Sequence, residues 1–107
     1  YEVSVTRKYY RCGHKKMKLG NELMREGKLM RAEKKYKLAI EDSVKKERGK
    51  SHFNYAVLLE QMGKTQEALE QAKKANELMQ SDMSQTYVDQ LRVRMKKERR
   101  IKRQLGQ

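Results

Sequence analysis

Two stretches of this sequence, LGNELMREGKLMRAEKKYKLAIE at 19–41 and YAVLLEQMGKTQEALEQAKKANE at 55–77, repeat one pattern at a shift of 36 residues. Both have small residues where two helices must approach closely, large apolar residues beside them, and a Gly-Lys break in the middle. The aligned pairs include Gly20 with Ala56, Leu23 with Leu59, Gly27 with Gly63, Ala32 with Ala68, and Ala39 with Ala75. Such a repeat predicts an all-α stack of antiparallel helical hairpins, an architecture that binds partners rather than performing chemistry.

Apolar residues at spacings of three and four predict about five helices. The first is expected to begin near residues 4–8 and to end at 26. The next three are expected at about 29–46, 50–62 and 66–79, with a break at 47–49. Thr65 is a candidate N-cap of the fourth helix, and Ser81 or Asp82 of the fifth.

This pattern divides the chain into four parts. A basic and aromatic lead-in at 1–12 is expected to belong to the first helix, and two hairpins follow at 13–46 and 47–80. Counted 34 residues beyond Tyr55 and Gly63, Asp89 and Lys97 stand where a third copy would need a large apolar residue and a turn glycine. Residues 81–107 are therefore predicted to form a closing helix with a basic tail, because the end of a stack needs a polar outer face.

The Leu19-Gly20 pair, the two turn glycines and the aligned alanines resemble the tetratricopeptide repeat family over roughly 13–79. The sequence departs from the family pattern in the length of the shift, in Lys16 where an aromatic residue is expected, and in Val44 where proline is expected. The resemblance implies a right-handed stack whose first helices line a concave groove that binds a peptide or helix of a protein partner. The implied groove residues are His14, Met17, Asn21, Met24, Arg25, Lys50, Phe53, Asn54, Val57 and Gln61.

One subset of that family binds the acidic C-terminal tails of chaperones through five basic and amide side chains. Asn21 and Asn54 match its two amide positions, but Met17 stands at the first lysine position, and residues 84–88 contain no basic residue. A co-chaperone role is therefore a minor alternative to a general adaptor.

Amino-acid composition limits the compartments and the kinds of function that the chain can have. The chain has 107 residues, no Pro or Trp, and Cys12 as its single cysteine, so an internal disulfide is excluded and a reducing compartment is expected, most simply the cytoplasm. The sequence has neither a signal-peptide pattern nor an apolar run near the roughly 20 residues of a membrane span, although a processed organellar protein remains an alternative. Neither paired catalytic side chains nor metal-ligand spacing is visible around His14 or His52, so we expect no enzyme activity, cofactor or metal.

The net charge of +13 is concentrated at the two ends. Residues 1–37 contain 12 Lys/Arg against 4 Asp/Glu, whereas residues 38–91 contain 7 against 9. The last sixteen residues hold one acidic residue and eight cations, which are Arg92, Arg94, Lys96, Lys97, Arg99, Arg100, Lys102 and Arg103. Such a tail suits the backbone of RNA or an acidic protein surface, and Tyr9 and Tyr10 among basic neighbours would suit stacking on unpaired bases. The second hypothesis is therefore a basic subunit of a large RNA-containing or multi-protein assembly.

Overall fold

The computed structural model describes residues 9–10 and 14–106, and this part of the chain forms five helices and no β-strand. They are α1 (Lys15–Arg25), α2 (Leu29–Asp42), α3 (Lys45–Gln61), α4 (Thr65–Met79) and α5 (Asp82–Gln104). Consecutive helices pack against each other, and α1 also touches α3. The predicted all-α stack of helical hairpins is confirmed. None of the helices in the described ranges has both the length and the apolar character to cross a membrane.

The two Gly-Lys breaks form the same turn in both hairpins. Gly27 and Gly63 each have a φ of 79°, a left-handed conformation that glycine adopts without strain. The next amide closes each turn, because Lys28 N–H donates to the Leu23 carbonyl and Lys64 N–H to the Leu59 carbonyl, both at 2.9 Å. These are the bonds of a helix C-cap, and they reverse the chain direction within three residues.

Small residues lie where the helices of each hairpin cross. A Cβ atom on Gly20 would lie 2.8 Å from the ring of Tyr36, which is fully buried on α2. At the equivalent positions of the second hairpin, Ala56 and Ala72 are also fully buried. In the first hairpin a glycine faces a large ring, and in the second hairpin two alanines face each other. Both pairs allow the two helices of a hairpin to pack closely.

The connection between the hairpins differs from the sequence-based expectation. α2 ends at Asp42 rather than near 46, and α3 begins at Lys45 rather than at 50. The expected break at 47–49 is therefore wrong, because these residues form the first turn and a half of α3. Gly49 is buried there, and a Cβ atom on it would lie 2.6 Å from Cγ of Met79 on α4. This glycine permits close helix packing and does not end a helix.

The beginnings of the other helices also correct two predictions. α1 begins at Lys15, and Tyr9 and Tyr10 are not helical, so the expectation of a helix from near 4–8 fails at these residues. Residues 1–8 and 11–13, with Cys12 among them, lie outside the described residues. Thr65 is the first residue of α4 and not its cap. Ser81 does cap α5, through reciprocal hydrogen bonds with Ser84.

The crossing of α1 and α2 gives the first testable prediction. Gly20→Ala should lower the free energy of unfolding by about 1 kcal/mol, because overpacking against Tyr36 outweighs the gain in helix propensity. The reverse change at the equivalent position, Ala56→Gly, should also destabilise by about 1 kcal/mol through lost propensity. Urea unfolding of both variants measures this, and a Gly20→Ala protein more stable than the parent would contradict the proposed close approach.

Candidate functional site

The side chains of Asn21 on α1 and Asn54 on α3 hold the main chain of Tyr10. The Asn54 Oδ1 atom accepts the Tyr10 amide proton at 2.8 Å, and the Asn54 Nδ2 group donates to the Tyr10 carbonyl at 2.8 Å. Asn21 Nδ2 donates to the same carbonyl at 3.3 Å. The Asn54 side chain thereby binds both polar groups of one peptide residue. Its donor and acceptor act as the main-chain N–H and C=O of a facing residue do in an antiparallel strand pair.

A buried phenol fixes the orientation of both amides. The Tyr36 hydroxyl donates to Asn21 Oδ1 at 2.6 Å, and Asn54 Nδ2 donates to the same oxygen at 2.9 Å. Burial raises the pKa of Tyr36, so its hydroxyl stays protonated and remains a donor. With its oxygen bound twice, Asn21 presents its NH₂ group to Tyr10. Asn21 and Asn54 are 5% and 0% exposed, and leaving a buried amide unpaired costs about 1–3 kcal/mol.

Aromatic rings form the apolar wall of the same site. The ring of Tyr10 meets Phe53 edge to face, with centroids 5.0 Å apart and planes at 89°. Phe53 also packs on Tyr87 of α5 at a centroid distance of 5.0 Å. Beside them, Arg25 Nη1 donates to the Tyr9 hydroxyl at 3.0 Å, and this hydrogen bond raises the pKa of Arg25. We call the site formed by Asn21, Phe53 and Asn54, which are at most 5% exposed where Tyr10 packs on them, the amide groove.

The remaining groove residues implied by the sequence fall into two groups. Three of them, Met17, Met24 and Val57, are no more than 4% exposed and belong to the core rather than to an open surface. The Ser51 hydroxyl donates to the sulfur of Met17 at 3.3 Å, an internal contact. The others lie at the margin, where His14 is the N-cap of α1, Lys50 pairs with Glu47 at 3.4 Å, Gln61 is half-buried and Arg25 is exposed.

The structure adds a second surface on α5 that the sequence analysis did not assign to the groove. An open cavity of about 600 Å³ is lined by Thr86, Asp89, Gln90, Val93, Arg94, Lys97, Glu98 and Ile101. A further shift of 36 from Lys50, Phe53, Asn54, Val57 and Gln61 gives Thr86, Asp89, Gln90, Val93 and Lys97, all in this lining. α5 therefore takes the place of a first helix in a third hairpin, and the shift of 36 was the signal that could have found this surface.

A polar network ties α5 to the second hairpin. The carboxylate of Glu60 on α3 is fully buried; it accepts a hydrogen bond from the Tyr87 hydroxyl at 2.8 Å and pairs with Arg94 at 2.9 Å. Arg94 also pairs with Glu98 at 3.1 Å, and Glu98 accepts from the Thr65 hydroxyl at 2.7 Å. Arg94 was predicted as part of the basic tail, but its charge is engaged inside the protein.

The other cations of the predicted tail are exposed. Helical spacing puts Arg92, Lys96, Arg99 and Arg103 on one flank of α5, which we call the basic ridge, and its length is about 16 Å at 1.5 Å per residue. Arg92 lies 3.9 Å from Asp89, a weak contact. Lys97, Arg100 and Lys102 are exposed on other sides. Tyr10 packs on Phe53, which leaves its ring less available to stack on bases. Of its basic neighbours, Arg7, Lys8 and Arg11 lie outside the described residues.

The fold and this site define an all-α helical-hairpin protein with an amide groove. The chain belongs to the family described as Domain of unknown function (DUF6340), whose pattern matches residues 18–94. That match includes both asparagines and Arg94, whereas Tyr10 and most of the basic ridge lie outside it. No curated protein and no solved structure matches the sequence. Within residues 9–10 and 14–106, no three His, Cys, Asp or Glu side chains are placed to hold a metal ion.

The buried ion pair gives the second prediction. Arg94→Met should lower the free energy of unfolding by about 3 kcal/mol, because it removes a cation that is paired with the buried Glu60 carboxylate. Adding Glu60→Gln to that variant should restore part of the loss, because the remaining amide is neutral and still accepts from Tyr87. Thermal unfolding of the single and double variants measures the coupling, and additive effects would show that the pair has no energetic role.

Proposed function

We propose that the protein is a non-catalytic adaptor that binds a peptide or helix of a protein partner. The binding face is formed by α1 and α3, which are the first helices of the two hairpins, and by α5. The observation that carries this proposal is the double hydrogen bond between the Asn54 amide and the main chain of Tyr10. These two bonds support the proposal because they hold a peptide residue by its main chain. Main-chain binding of this kind supplies affinity, and side-chain pockets beside it supply specificity.

The α5 cavity supports the same proposal, because it offers an apolar contact next to charge. Val93 is 65% and Ile101 39% exposed, and Lys97 lies one turn from each of them. An amphipathic helix or peptide with apolar anchors and acidic neighbours would fit this surface. Interfaces commonly combine a few apolar anchors with a polar rim.

The likeness to tetratricopeptide repeats is part of the proposal. It is supported by two hairpins with the same left-handed glycine turn and by small residues at both crossings. The co-chaperone alternative has less support, since residues 84–88 of α5, where an acidic tail would need cations, contain none. A reducing intracellular compartment, the cytoplasm or an organelle, would suit a chain whose single cysteine is Cys12.

The third prediction tests the amide groove with an array of random synthetic peptides. The parent protein should bind a subset of them, and Asn54→Ala should weaken that binding at least tenfold, because the main-chain bonds are lost. Asn76→Ala is the control: it loses two side-chain hydrogen bonds, to Ser84 and Gln85 of α5, but Asn76 lies on α4 away from the amide groove.

The control separates binding from stability. Thermal unfolding of both alanine variants establishes that each is folded at the assay temperature, and only Asn54→Ala should lose peptides. Equal peptide binding by the two variants, or a parent protein that binds no peptide, would overturn the groove assignment.

A second candidate function, contact with RNA backbone or an acidic protein surface within a large assembly, is favoured by the basic ridge. Its four cations are exposed along about three turns of one helix, a spacing that can follow a phosphate chain. The ridge is separate from the amide groove, so the two functions are compatible in one molecule.

The fourth prediction concerns the salt dependence of RNA binding. Replacing Lys96, Arg99 and Arg103 by Gln should reduce the slope of log affinity against log salt for oligouridine by about 2, since each phosphate contact contributes about 0.7. The charge-matched control replaces Arg31, Lys34 and Lys37, which are exposed on α2. Fluorescence anisotropy at several salt concentrations measures the slope.

Two results would overturn the RNA candidate: equal slopes for both triple variants, or an absence of salt-dependent binding by the parent protein. Point substitutions are preferred to deletion of residues 92–107, because deletion would also remove Arg94 from Glu60 and disturb the fold.

A further inference from the structure

The amide groove already holds a peptide residue, and that residue belongs to the chain itself. Tyr10 gives its amide, its carbonyl and its ring to Asn54, Asn21 and Phe53. We propose that Tyr10 is a built-in occupant of the groove, and that the partner is an extended peptide whose aromatic side chain takes the place of Tyr10. This inference rests on the proposed function, because it assumes that the groove binds a partner.

The polar half of the groove favours replacement of Tyr10 by another peptide over departure of Tyr10 to leave the groove empty. Asn54 is fully buried and Asn21 nearly so, and each has one amide group directed to Tyr10. When Tyr10 leaves, Asn54 Oδ1 and Asn21 Nδ2 lose their partner in a setting poorly exposed to water, while Asn54 Nδ2 keeps its bond to Asn21. A main chain in the same conformation as that of Tyr10 restores both sets of hydrogen bonds, so the favoured exit of Tyr10 is replacement by another peptide.

The apolar half of the groove specifies an aromatic replacement. Phe53 presents its ring to Tyr10 in an edge-to-face contact at 5.0 Å and also packs on Tyr87 at 5.0 Å. Electrostatic attraction between a ring edge and a ring face stabilises such an aromatic pair beyond its burial. An aliphatic side chain in the same space would lack this attraction. Tyr10 is half-buried, so a larger aromatic residue also has room at the solvent side.

The length of the connection puts this exchange within reach of a partner. Four residues, 11–14, separate Tyr10 from the first residue of α1. A short tether of this kind gives an effective concentration on the order of 1 mM, and a Tyr10 segment that binds the groove with a dissociation constant on the order of 0.1 mM then lowers a partner's affinity about tenfold. Occupancy by Tyr10 therefore weakens partner binding without preventing it.

The test measures binding in trans of a labelled peptide that copies residues 5–14, with Ser in place of Cys12, to the full chain. Tyr10→Ala in the protein should raise the affinity for this peptide about tenfold, because the tethered competitor loses its ring contact. Tyr10→Phe is the matched control, since it keeps the ring and should bind as the parent does. Asn54→Ala should abolish binding, and a peptide with Ala at the Tyr10 position should bind at least tenfold more weakly.

The outcomes separate the two proposals. If neither the parent nor Tyr10→Ala binds the peptide, the amide groove is not a peptide site and both proposals fall. If the parent and Tyr10→Ala bind equally while Asn54→Ala does not, the built-in occupant is wrong and the adaptor stands. If the alanine peptide binds as tightly as the tyrosine peptide, the aromatic requirement is wrong.

A measurement without substitutions in the protein checks the displacement itself. Adding excess peptide to the parent protein should increase hydrogen exchange at the Tyr10 amide, because this amide loses Asn54 when the segment is displaced. Unchanged protection of that amide at saturating peptide would overturn the exchange.

Discussion

The Tyr36 side chain joins the packing of the first hairpin to the geometry of the amide groove. Its ring lies against Gly20, where only a glycine leaves enough space, and its hydroxyl donates to Asn21. Asn21 in turn accepts from Asn54. A change in the crossing of α1 and α2 would therefore move a hydrogen-bond donor, and the orientation of two amides depends on that donor.

Local signals predicted the hairpins well, because short-range chemistry determines them. Gly27 and Gly63 take the left-handed conformation that ends a helix, and the small residues at the crossings are recognisable by their spacing. Gly49 misled the prediction for a related reason. A glycine that ends a helix and one that admits a neighbouring helix look alike in sequence, and only Met79, which lies thirty residues away, distinguishes them.

The candidate site was predicted only in part. The family resemblance named Asn21 and Asn54, but their contact with Tyr10 was missed, since the sequence analysis assigned residues 1–12 to the first helix. Met17 and Val57 lie on the predicted face but turn into the core, a difference that depends on how the helices rotate against each other. Arg94 illustrates a third limit, because sequence shows a cation in a basic run and cannot show that a buried carboxylate 34 residues earlier engages it.

The ring of Phe53 is shared by two neighbours that come from opposite ends of the chain. Tyr10 touches one part of it and Tyr87, on the helix that carries the basic ridge, touches another. A shift of α5 therefore changes the packing of Phe53 against Tyr10, and replacement of Tyr10 by another segment changes the packing of Phe53 against α5. Such coupling is reciprocal in free energy. The buried Phe53 ring thus couples the free energy of the Tyr10 contact to that of α5 packing.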